Sequence, residues 1–109
     1  MKQFIEEIIK FRDERNWAQF HNTKDLAVSI SIEASELLEN FQWKTSEQAV
    51  SDNLQNIQDE MADVFIYLVL LADNLGLDLE KITKNKMEKN ALKYPVDKAY
   101  GSNKKYNEL

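Results

Sequence analysis

Glu60-Met61-Ala62-Asp63-Val64-Phe65-Ile66-Tyr67-Leu68-Val69-Leu70-Leu71 decides the fold. It opens on an acid-x-x-acid pair and continues as a run that is apolar nearly all round. Leu54, Ile57, Met61, Val64, Leu68, Leu71 and Leu75 recur at helical spacing, which predicts a helix from about Asp52 to Asn74. Glu60 and Asp63 fall at the edge of this stripe, and Tyr67, four residues after Asp63, shares the acid-bearing face. A helix that is apolar on every side must be buried on every side. In so short a chain, a second subunit is expected to cover the back.

The pair has an echo upstream in Glu33-Ala34-Ser35-Glu36. Thr23 can cap the helix that carries it, and Asp25 in the first turn suits the helix dipole. Leu26, Ile30, Leu37 and Phe41 make the apolar stripe, widened by Ala34 and Leu38, with Glu33 and Glu36 along its edge. Lys44-Thr45-Ser46 ends this helix, and Ser46 or Ser51 is expected to cap the next. If the two helices lie side by side, four carboxylates face one another beside a core. Such groups repel unless they are protonated, paired or neutralised by a metal ion. Oxygen-only ligands suit Mg²⁺, with Mn²⁺ as a substitute. A di-iron bundle would need Glu-x-x-His motifs on two helices, and the one histidine, His21, lies outside any such motif.

The remaining chain is organised around these two helices. Phe4, Ile5, Ile8 and Ile9 predict a first helix from about Lys2 to Asn16. Asn16 to Asn22 then reads as a loop whose Trp17 and Phe20 either plug the core or line a pocket. Gly76 stops the long helix, and Asp78 caps a fourth that runs to about Lys93, before Pro95. The inward stripe of that helix starts as Leu79 and Ile82 and continues as Lys86, Asn90 and Lys93. Those polar groups either snorkel past the bundle or serve as donors to an anion. The polar tail, Val96 to Leu109, could be disordered by composition, while Tyr100, Tyr106 and Leu109 leave room for docking onto a neighbour. The expected architecture is an all-α, four-helix bundle in one domain, residues 1–109, with a helical core over about 2–95.

Composition agrees. Two glycines and one proline are too few to punctuate a sheet protein. The absence of cysteine excludes disulfides and thiolate metal sites and fits a reducing, cytoplasmic setting. A net charge of −5 argues against nucleic-acid binding, though a bound divalent metal can still bridge carboxylates to phosphate. Glu6 and Glu7 interrupt the first ten residues, unlike a signal peptide, and the apolar stretch Val64 to Ala72 is too short to cross a membrane. Hard metals with lysines nearby point to phosphate chemistry. The ions would lower the pKa of a water, and a free carboxylate would orient it or take its proton. There is no Gly-rich phosphate loop.

The acids, Glu33-x-x-Glu36 and Glu60-x-x-Asp63, resemble the ExxE…ExxD signature of the MazG-like all-α nucleoside triphosphate pyrophosphohydrolases. Asn16-Trp17-Ala18-Gln19-Phe20-His21, Phe41-Gln42-Trp43-Lys44, Asp63 to Leu68, Lys86 to Val96 and Lys105 to Leu109 look like the dCTP pyrophosphatase branch. The resemblance implies Mg²⁺-dependent hydrolysis of a (deoxy)nucleoside triphosphate to monophosphate and pyrophosphate, as house-cleaning of dCTP-like or modified nucleotides. It also implies a homotetramer, or a dimer, with sites built at subunit contacts. Carried over by motif, Glu33, Glu36, Glu60 and Asp63 would bind metal; for the mechanism, Glu36 is the candidate base. Trp17 and Trp43 would flank the nucleobase. Tyr67 and Asn90 would meet sugar or phosphates, and His21 either meets ligand or supports its loop. Lys86, Lys93, Lys98, Lys104 and Tyr106 would meet the triphosphate. One position departs from the pattern: Ile8 stands where animal dCTP-preferring members carry histidine. The alternative is a nucleotide-binding or regulatory subunit of the same fold without turnover.

Overall fold

The computed structural model describes residues 1–109 and is helical throughout, without strands. Its four main helices are α1 (Lys2–Glu14), α2 (Thr23–Glu39), α3 (Ser46–Asn74) and α4 (Leu79–Lys93), with a single turn, α5 (Val96–Ala99), in the tail. No helix is long and apolar enough to cross a membrane. The chain packs as two compact units, Met1–Leu77 and Asp78–Leu109.

In the first unit α2 and α3 form the main packed pair, and α1 lies against α3. Leu26, Val69, Leu70, Ala72, Ile57, Ala49 and Ile8 make the buried core. Phe4 stacks on Phe65, and Arg12 pairs with Asp73 at 2.7 Å, so α1 runs parallel to α3. The α2–α3 pair is antiparallel. Its register is pinned near one end by Asn56 Nδ2 donating to Asn40 Oδ1 at 2.8 Å, and at the other by Thr23 Oγ1 donating to Asn74 Oδ1 at 2.7 Å.

Several boundaries differ from expectation, each for a local reason. Asn22, not Thr23, caps α2, its side chain accepting from the Asp25 amide at 2.8 Å. Helix α2 ends at Glu39, so Asn40 to Lys44 belong to a turn. Helix α3 starts six residues earlier than the apolar periodicity indicates. Thr45 accepts from the Gln48 amide and the Gln48 side chain accepts from the Thr45 amide, a capping box that starts a helix independently of its stripe. The helix then kinks at Asn53 (φ −125°, ψ 18°), close to where the stripe begins. At its other end Gly76 (φ 67°) closes α3 in a Schellman turn, with the Leu77 amide donating to Ala72 O at 2.8 Å.

The stripe expected on α3 is only partly inward. Ile57 is buried, but Leu54, Met61, Leu68 and Leu75 are exposed, and Val69, Leu70 and Ala72 take their place. A helix apolar all round offers two candidate faces, and one chain covers only one of them.

In the second unit Asp78 caps α4 as expected, accepting from the Lys81 amide at 3.1 Å. The tail is folded: Tyr106, in a 3-10 turn, meets Tyr94 edge-on at 6.2 Å, and Lys93 Nζ lies 4.9 Å from the Tyr106 ring centre.

Candidate active site

The register of α2 on α3 builds the site. One helical turn inward from the Asn40–Asn56 pair stand Glu36 on α2 and Glu60 on α3, and three residues further stand Glu33 and Asp63. One row of half-buried or buried positions on α2 runs Leu26, Ile30, Glu33 and Leu37 and continues to Asn40 just past the helix end, and one row on α3 runs Asn53, Ile57, Glu60, Val64 and Tyr67. Glu33 and Glu60 therefore stand within the packed rows, and Glu36 and Asp63, also half-buried, stand beside them.

Carboxylate oxygens of Glu33, Glu36 and Glu60 lie within 4.8 Å of one another. Asp63 falls outside that group, yet its charge acts on both Glu33 and Glu60. The Oε2 atoms of Glu33 and Glu60 are shielded from solvent, and no N–H donor reaches either. Burial first, then hydrogen bonding with Glu60 and Glu36 and the charges of Glu36 and Asp63, pushes the Glu33 carboxyl up to about 7. Burial, with the charges of Glu36 and Asp63, also raises Glu60, against a hydrogen bond from Glu33 that favours its ionised form. Without a cation, enclosure and the neighbouring charges push both Glu33 and Glu60 towards their protonated forms. Enclosed carboxylate oxygens that no protein donor satisfies fit a hard divalent cation.

The other expected site residues lie on several elements of both units. Tyr67 is half-buried on the acid-bearing row of α3, one turn beyond Asp63. Trp17 packs edge-on against Phe11 at 6.0 Å, with the Arg15 guanidinium 5.9 Å from its ring. His21 closes the 3-10 turn Trp17–Phe20 that follows α1. Its carbonyl accepts from Asn74 Nδ2, its Nδ1 is enclosed without a partner, and burial together with Arg12 lowers its pKa and keeps it neutral at pH 7. Trp43 lies beyond the opposite end of α2, 93% exposed, with φ 63°. Lys44, its neighbour, pairs with Asp52 at 2.7 Å, whereas Trp17 sits beside Phe11, next to the Arg12 that pairs with Asp73. Asp52 and Asp73 are separated by about 30 Å of helix axis, so one chain holds its two tryptophans far apart. Lys86, Asn90 and Lys93 are exposed on α4, and Lys98, Lys104 and Tyr106 are exposed in the tail of the second unit.

The sequence reading missed Asn40, the buried polar residue of the chain, together with Asn53 and Asn56, which bond to it. Three asparagines in polar stretches carry no local signal, because their bonds join positions 13 and 16 residues apart.

Comparison with known proteins bears on the family and the fold. The dCTP pyrophosphatase 1 of Homo sapiens is 38% identical over 105 residues, and that of Bos taurus 40%; each alignment covers 92% of this chain. The chain spans 62% of the length of these curated relatives. A crystal structure of a pyrophosphatase from Archaeoglobus fulgidus superposes with a TM-score of 0.80 at 42% identity, covering 87% of this chain and 92% of that one. Residues 28–109, which include all four acids, match the MazG-like family, and the chain belongs to that family.

Proposed function

We propose that the protein is a metal-dependent nucleoside triphosphate pyrophosphohydrolase that releases pyrophosphate from dCTP or related deoxynucleotides. The observation that carries this reading is the convergence of Glu33, Glu36 and Glu60 within 4.8 Å, with two enclosed carboxylate oxygens lacking any donor. The names of the relatives, dCTP pyrophosphatase 1, support the substrate class.

In this reading Glu33, Glu36, Glu60 and Asp63 hold Mg²⁺, or Mn²⁺ in its place. When bound, the cation neutralises phosphate oxygens and lowers the pKa of a coordinated water. The protein's own part is electrostatic and positional. Glu36 orients the attacking water and accepts its proton. Tyr67, next along the row, and Asn90 meet the sugar or phosphates. Lys86, Lys93, Lys98 and Lys104 supply positive charge to the triphosphate, with Tyr106 beside Lys93. Trp17 and Trp43 flank the base, and a homo-oligomer completes the site.

Glu36→Gln and Asp63→Asn are each expected to lower Mg²⁺-dependent pyrophosphate release from dCTP by at least about a hundredfold, with circular dichroism and oligomeric mass unchanged. Near-normal turnover in either variant would overturn the assignment.

A further inference from the structure

The loop between α2 and α3 carries a contradiction. Trp43 has a left-handed backbone, φ 63°, which is strained for a bulky residue, and its side chain is 93% exposed. Within the chain the indole gains no packing in return. Strained conformations persist where the surroundings over-determine them, and they mark functional positions.

The surroundings here are three asparagines. Asn40 is buried at 6% exposure, and its Nδ2 donates to the carbonyls of Glu36 and Leu37, each at 3.3 Å. Its Oδ1 accepts from Asn56 Nδ2 at 2.8 Å, and its own carbonyl accepts from Asn53 Nδ2 at 2.9 Å. Asn53 makes that bond from a non-helical backbone, so α3 gives up regularity at the residue that holds the loop. Beyond Trp43, the Lys44 ammonium is tied to Asp52 at 2.7 Å, and Thr45 enters the capping box of α3. The chain is fixed on both sides of a residue whose side chain is free.

We propose that Asn40, Asn53 and Asn56 are positioning residues for Trp43, a clamp that holds its indole preset against the flat face of a nucleobase. The inference rests on the reading of Trp43 as a wall of the base site. It assigns the clamp to substrate binding and not to the chemical step. The acids are held by the packing of α2 on α3, to which the Asn56–Asn40 bond also contributes, while the Asn53 arm of the clamp bonds only the backbone of the loop beyond them. Presetting removes the ordering cost of the aromatic from the binding step.

The test uses the full chain with Asn53→Ala, which deletes the donor to the Asn40 carbonyl and favours regular helix, and with Asn53→Asp, which removes the donor at nearly constant size, as a second variant. Amide hydrogen exchange is expected to quicken over residues 40–45 and to stay unchanged over 28–36 and 60–70. With dCTP and Mg²⁺, KM should rise about two- to tenfold, with kcat and the Mg²⁺ half-saturation point unchanged. In a Trp43→Ala background Asn53→Ala should add nothing further to KM, because the clamp acts through the indole. An unchanged exchange rate over 40–45, a loss confined to kcat, or full additivity with Trp43→Ala would each overturn the proposal. Absence of dCTP turnover in the unsubstituted protein would instead count against the proposed function, and the exchange measurement would still decide whether the clamp fixes the loop.

Discussion

At the scale of single residues, enclosure and the neighbouring carboxylates act on Glu33. Its carboxyl titrates near 7 in the fold against an ordinary value of 4.5. Between those values the native state binds more protons than the unfolded chain. The metal-free protein therefore loses stability as pH rises through this window, and stays at its lower level above about 7. A divalent cation reverses the preference by replacing the proton. Mg²⁺ binding near pH 6 is expected to release about one proton per site, and at pH 8.5 almost none. Calorimetric titration in two buffers of different ionisation enthalpy measures this directly, and equal heats at pH 6 would contradict it. Metal-free Glu36→Gln should melt several degrees above the unsubstituted protein at pH 8, since it removes one of the charges that disfavour ionised Glu33, and should show no gain on adding Mg²⁺. The acids themselves were legible, because their spacing and apolar neighbours are local. Their place in and beside the packed rows was not, because that depends on the register of α2 against α3. The same is true of Asn40: an asparagine after a helix reads as a solvated end until Asn53 and Asn56 are known to lie against it.

At the scale of elements, most helices could be located from apolar periodicity, and the errors occur where caps act without it. Thr45-Ser46-Glu47-Gln48 is a capping box that the stripe from Leu54 onward does not reveal. The left-handed backbone at Trp43 is likewise invisible locally, since tryptophan has no preference for it. The opposite end of α3 was legible. Gly76 adopts φ 67°, and a Cβ placed there would meet nothing within 4 Å. Gly76→Ala should therefore cost only the left-handed backbone penalty, about 1–2 kcal/mol, without steric damage. A urea transition with a lower midpoint and unchanged slope would show this. A loss well above that range would mean that Leu77, whose amide closes the turn on Ala72, had been displaced as well.

At the scale of the whole molecule, the proposed site asks for more than one chain. Ile32, Leu38, Leu54, Met61 and Leu68 are exposed on α2 and α3, the helices that carry the acids. Single exposed apolar residues are ordinary, but a series of them on two packed helices calls for a partner surface. The tryptophans give the stronger argument. Two aromatics that sandwich one base stand about 7 Å apart, whereas the ion pairs beside Trp17 and Trp43 are anchored at Asp73 and Asp52, about 30 Å apart along α3. If both tryptophans flank one base, they come from different copies of the chain. Sedimentation should then give a mass that is a multiple of 12.8 kDa, with four copies expected. Complementation makes the demand specific. Trp17→Ala and Trp43→Ala homo-oligomers should each show a raised KM for dCTP, by about tenfold or more for a lost stacking ring. When the two variants are unfolded together and reassembled, hybrid contacts place an intact Trp17 from one chain opposite an intact Trp43 from the other. A fraction of sites with normal KM should reappear, up to about one quarter for random pairing across a two-chain site. A mixture that keeps the raised KM of its parents would show that each base site draws on one chain alone, and the long α3 would then have to bend far more than its kink at Asn53 allows.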